Sequence, residues 1–168
     1  MTRHFERSLA TEVRALAHRF AVTENQAFLI WFMTTILDLS EDEALEAASI
    51  DGANDKGIDF FYVDNDQGRV IIAQGKYSAT MNVNVREGHL TKLQASLNWL
   101  SSPEALRREG RSDLAQAAAD YLSAIREGYG VELWFIYTAP RLDNIEKTIE
   151  VYNKNPDNIE MSHLTRHF

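Results

Sequence analysis

The 168-residue chain contains no cysteine, which excludes a disulfide framework and any thiolate metal site. That usage fits a reducing compartment, and a cytoplasmic location is the expectation. Long apolar runs are also missing. The most apolar window, residues 27–37, is far too short to span a bilayer. The first seven residues are not followed by an apolar stretch of the kind a signal peptide needs. Histidine-based metal spacing is absent too: His4, His18, His89, His163 and His167 form neither HxH nor HExxH. No P-loop, Gly-x-Gly-x-x-Gly run, internal repeat or low-complexity segment occurs. Positive charge is in short supply, with 17 Lys and Arg against 25 Asp and Glu and a net charge of −8. A polyanion partner usually needs a basic surface. Such a partner therefore requires the acidic residues to lie away from the cleft, or another domain of a longer protein to supply affinity.

What is present fits one domain with a sizeable core: 45% of the residues are apolar. Leu9, Val13, Leu16, Ala17 and Phe20 repeat at helical spacing. Thr23 with Gln26, and Ser40 with Glu43, have the form of capping boxes. They predict a mostly apolar helix to about Leu37, buried on several sides, and a short helix to about Ala48. Residues 57–63 and 70–76 read as two strands joined by a turn at 64–68. Residues 78–87 are polar and suit a short strand or an ordered loop. Leu90, Leu93, Leu97 and Leu100 mark a helical stripe, and residues 112–127 form an alanine-rich helix ending before Gly128. Residues 131–138 are a strong strand, 144–152 a further helix, and 159–164 the start of another strand. The expected fold is α/β, a small mixed central sheet flanked by helices. Its expected divisions are N-terminal helices over 1–48, a catalytic core over 51–140, and a C-terminal helix and possible strand over 141–168.

The hairpin carries the most chemistry. Its first strand holds Asp59 and its second closes with Gln74-Gly75-Lys76. Residues two apart on a strand share a face, so Gln74 and Lys76 project together, and a regular hairpin sets Asp59 beside them. A carboxylate, a second oxygen ligand and a lysine at one strand end can hold Mg²⁺ and a water against a phosphodiester.

This pattern resembles the PD-(D/E)xK nuclease superfamily, in its Mrr-like branch. The run from Asp51 through Gly57-Ile58-Asp59 to Gln74-Gly75-Lys76-Tyr77 is similar to the N-terminal region of the AIPR family, named for abortive phage infection. The resemblance covers about residues 20–140, and its specific part is 51–77. It implies an αβββαβ core, although no strand before Asp59 can be located in the sequence. It implies a Mg²⁺-dependent (or Mn²⁺-dependent) DNA endonuclease acting in restriction or phage defence, with RNA as an alternative substrate. Asp59, Gln74 and the Gly75 carbonyl would hold the metal, and Lys76 would assist the attacking water.

Glu24, Asp51 and Asp55 are secondary acidic candidates, although helix electrostatics accounts for Glu24 and turn formation for the aspartates about as well. Lys56, Arg86 and Lys92 are the candidate substrate-binding cations. Further domains of a longer chain, or a homodimer, are compatible with the sequence, and a membrane partner is not expected. Two rivals stand beside the enzyme. One is a catalytically inactive nuclease-like module that binds nucleic acid or a defence protein, favoured by the neutral Gln74 and the negative charge. The other is an acidic α/β interaction domain in which Gln74 and Lys76 face unrelated surfaces.

Overall fold

A computed structural model describes residues 2–50 and 55–165. Three helices come first: α1 (Thr2–Phe20), α2 (Glu24–Ile36) and α3 (Glu41–Ala47). Both capping boxes form. The Thr23 hydroxyl accepts from the Gln26 amide at 3.1 Å while the Gln26 side chain accepts from the Thr23 amide at 3.2 Å. Ser40 and Glu43 exchange the same pair of bonds. The seven residues Ala27 to Met33 of α2 are all buried, which explains an apolar sequence with little amphipathic bias.

The hairpin comes next as β1 (Phe60–Asp64) and β2 (Arg69–Lys76). Its turn is held by Asp64, whose carboxylate accepts from the Gln67 amide at 3.0 Å and from Arg69 Nε at 3.0 Å. Gly68 adopts φ +62°. The remaining elements are α4 (Glu87–Leu100), α5 (Pro103–Arg108), α6 (Ser112–Arg126), β3 (Gly130–Tyr137), α7 (Asp143–Asn153) and β4 (Met161–Leu164). The sheet order is β1-β2-β3-β4, with β1 antiparallel to β2 and the other pairs parallel.

The protein is thus α/β, with a small mixed four-stranded sheet flanked by helices. One core gathers Phe61, Val70, Ile72, Leu133, Phe135 and Tyr137 with residues of α4, α6 and α7. The other gathers Phe60, Ala73 and Ile136 with α1, α2 and α3. Strand β2 is covered on both sides, which is why its six residues from Val70 to Gly75 are all buried.

One difference from expectation concerns the elements before the crossover helix. The expected αβββαβ order needs three strands before the crossover helix, but only β1 and β2 precede α4 among the described residues, and the element before them is α3. Of the two alternatives for residues 78–86, strand or ordered loop, the structure takes the loop. It is latched to the end of β3, where Thr138 Oγ1 accepts from the Ser78 amide at 2.7 Å and the Val83 amide donates to the Thr138 carbonyl at 3.3 Å.

Candidate functional site

Side-chain alternation along β2 decides which groups meet. Val70 and Ile72 face α4 and α6, so Gln74 and Lys76 continue on that face. Ala73 belongs to the opposite core, and Gly75 faces the same way: a Cβ built there would lie 2.8 Å from Leu29 of α2. The ladder pairs Phe60 with Ala73, and the Asp59 amide donates to the Ala73 carbonyl at 2.9 Å. Asp59 itself lies just before β1, and its bond to Ala73, which the ladder already pairs with Phe60, takes it off the regular register.

Three side chains are therefore brought to one end of the sheet. The Gly75 amide donates to Asp59 Oδ2 at 2.9 Å, and Lys76 Nζ lies 3.7 Å from the same oxygen. Asp59 is 2% exposed and Gln74 3% exposed, whereas the Lys76 side chain keeps 28% of its surface open. The Gly75 amide points toward β1, and the carbonyl of an extended residue points to the same side as its amide. Gln74 Oε1 is buried and has no hydrogen-bond partner. A buried acceptor left in that state costs about 1–3 kcal/mol. A cation within reach of that oxygen would satisfy it, and amide and carboxylate oxygens are the donor type a hard divalent ion takes. It supplies a single carboxylate, however: among the described residues no three His, Cys, Asp or Glu side chains converge as a metal site.

The segment before Asp59 is braced against α4. Asp55 Oδ1 accepts from the Gly57 amide at 2.8 Å, closing a tight turn in which Lys56 has φ +59° and Gly57 φ +82°. A Cβ on Gly57 would lie 2.8 Å from the Lys92 carbonyl oxygen. Turn closure accounts for Asp55. Asp51 lies outside the described residues.

The candidate cations divide. Lys56 is paired with Glu109 and sits 3.9 Å above the Trp99 ring, its side chain only 12% exposed. Its ammonium is engaged within the fold by these two partners. Arg86 and Lys92 are exposed, and their charge, with that of Lys76, reaches His89: burial is the largest cause holding its pKa below the usual histidine value, and the three cations act in the same direction. Glu24 lies on α2, on the opposite face of the sheet. There it faces Arg14 at 3.7 Å and, after burial, is the main charge raising the Tyr77 hydroxyl pKa. The neighbouring Asn25 side chain accepts from the Tyr77 amide at 3.2 Å.

His89 is the residue that composition and motif spacing passed over. Its ring packs on Phe135 at a centroid distance of 6.2 Å and an interplanar angle of 23°. Phe135 is the β3 partner of Gln74, so the imidazole sits beside the buried cluster. A signal did exist: Arg86, His89 and Lys92 recur at intervals of three, which puts them on one helical face. The chain matches no family model, no curated protein and no solved structure.

Proposed function

We propose that this chain is a divalent-metal-dependent nuclease domain that hydrolyses phosphodiester bonds in DNA, built as a variant of the PD-(D/E)xK arrangement. The observation that carries the reading is the orphaned Gln74 Oε1, buried on the same face of β2 as Lys76, whose ammonium lies 3.7 Å from Asp59 Oδ2. A residue that is 3% exposed with an unmet acceptor is costly unless something binds it. Asp59, Gln74 and the Gly75 carbonyl would hold the cation. When bound, it supplies Lewis-acid polarisation of the phosphate and activation of water.

The protein's own residues do the rest. Asp59 is kept in one orientation by the Gly75 amide. Lys76, partly open to solvent, stabilises negative charge on the phosphate and orients the attacking water. Arg86 and Lys92 draw the backbone to this end of the sheet despite the net charge of −8. Water adds to phosphorus, one ester P–O bond breaks, and the products are a phosphate monoester and an alcohol. The coarse fold, a mixed sheet with the cluster at the carboxyl end of a central strand, is compatible with this chemistry. Restriction or phage defence is the biological role implied by the resemblance.

A second reading rests on a specific observation, the lone carboxylate. With a neutral amide in place of a second acid, the same cluster suits a module that binds nucleic acid without turnover. Cleavage of supercoiled plasmid with Mg²⁺ or Mn²⁺ separates the two. The enzyme reading expects metal-dependent nicking that disappears in Asp59→Ala and falls at least about 100-fold in Lys76→Ala, with metal binding kept in the latter. A folded wild-type protein that binds DNA and cuts neither plasmid nor oligonucleotide with any divalent ion selects the binding module.

A further inference from the structure

His89 occupies the third position of α4, and its Nδ1 accepts a hydrogen bond from the Arg86 amide at 3.2 Å. That bond removes the proton from Nδ1, so the neutral ring carries it on Nε2 as a donor. Capping alone is a poor account of this residue. Glu or Gln performs the same reach-back and, at a helix start, a carboxylate adds favourable electrostatics. An imidazole costs the helix that benefit. What it adds is a rigid donor, clamped by Phe135 on its face and by the Arg86 amide at its edge. The ring is half-buried, Arg86 and Lys92 are exposed, and Lys76 is partly open. Glu87, also exposed, is the acidic residue of the same helical turn. Three cations whose charge reaches one neutral donor suit an anion with several oxygens to share.

We infer that His89 is a phosphate-binding residue of the candidate site, donating its Nε2–H to a non-bridging oxygen of a nucleic-acid backbone phosphate while Lys76, Arg86 and Lys92 surround that phosphate with positive charge. The inference rests on the nucleic-acid reading above and extends it by one residue and one ligand group. It does not require turnover. The fixed donor confers orientation, and the mobile lysine and arginine side chains confer charge.

The test uses the full chain and a fluorescein-labelled DNA duplex, with anisotropy recorded in EDTA and again in Ca²⁺. His89→Gln keeps both the reach-back to Arg86 and a donor, so its affinity stays within about three-fold of wild type. His89→Met has neither, and its affinity falls about ten-fold, the worth of one hydrogen bond to a charged group. Ring signals of His89 in a two-dimensional NMR spectrum, assigned by their loss in His89→Gln, should follow the same binding curve. Melting temperatures of both variants separate a lost cap from a lost contact. Unchanged DNA affinity in folded His89→Met overturns the inference, as does DNA binding that leaves the His89 signals in place, or a wild type that binds no DNA in either buffer. Metal-dependent cleavage by wild type with an unchanged Kd in His89→Met would sink this assignment alone. DNA binding that weakens in His89→Met, in a protein that never cleaves, would sink the nuclease reading and leave the phosphate contact standing.

Discussion

Gly57 and Lys92 meet backbone to backbone, so closely that a Cβ on the glycine would lie 2.8 Å from the lysine carbonyl oxygen. This contact sets the path of the chain into Asp59. Gly57→Ala therefore adds two penalties, strain at φ +82° and a clash with a helix backbone that cannot rotate away. The expected destabilisation is about 2–4 kcal/mol, read as a lower midpoint in urea unfolding. A wild-type midpoint would show that the loop does not press on α4.

Gly75 is constrained from the other face. Alanine there would meet Leu29 Cδ2 at 2.8 Å, and Leu29 is fully buried, so little room exists for it to yield. Gly75→Ala should cost about 1–3 kcal/mol. Combining it with Leu29→Ala tests the cause, because the new methyl then enters the space the leucine left. The double variant should be more stable than the sum of the single effects predicts. Simple additivity would exclude Leu29 as the source of the penalty.

Gln74→Glu distinguishes a ligand from a structural amide. The new carboxylate would be buried at the sheet end that holds Asp59, and a second buried negative charge there destabilises the metal-free protein by an amount on the order of 2 kcal/mol. Mg²⁺ should then bind more tightly than to wild type and restore the melting temperature. Calorimetric titration and thermal unfolding on the same sample give both quantities. Equal Mg²⁺ affinity in the two folded proteins would remove Gln74 from the ligand set.

His163 makes the edge strand β4 sensitive to pH. Its Nδ1 lies 3.2 Å from the Tyr137 hydroxyl, which is fully buried, and the two rings stack at 6.3 Å. Burial is the largest cause lowering its pKa, with Arg141 acting in the same direction and Glu146 against both. A folded state that resists protonation binds fewer protons than the unfolded chain, so stability falls as pH drops below the unfolded value of about 6.5. The loss stops once the folded-state pKa has been passed. A melting profile between pH 7.5 and 5 should show this decline, and His163→Gln should flatten part of it. An identical slope in the variant would assign the decline to other groups.

The sequence was most legible where a local rule has one physical solution. Thr23 and Gln26 could only form a helix start, and the alternation in β2 fixed which of Ala73, Gln74, Gly75 and Lys76 share a face. Gln74 and Lys76 accordingly share a face, whereas Asp59 lies before β1 with its amide bonded off the ladder register, which no alternation rule announces. Lys56 was not legible, because Trp99 and Glu109, which hold its ammonium, are more than forty residues away in sequence. His89 was hidden for a related reason. Its surroundings come from β2, β3 and α4 together, and motif spacing within one element records none of that. That no strand precedes β1 among the described residues has a different origin: α3 packs beside β1, in a segment whose capping box already favoured a helix.

Gly75 has Leu29 against its face and Asp59 on its amide, so the cluster is gripped through one residue by helices that lend it no functional group. Heat that loosens α2 reaches the carboxylate through this glycine without first breaking a rung between β2 and β3. The Asp59–Lys76 contact should then loosen before global melting, while the sheet still reads as intact, and the gap between the two temperatures would measure how firmly the N-terminal helices are seated.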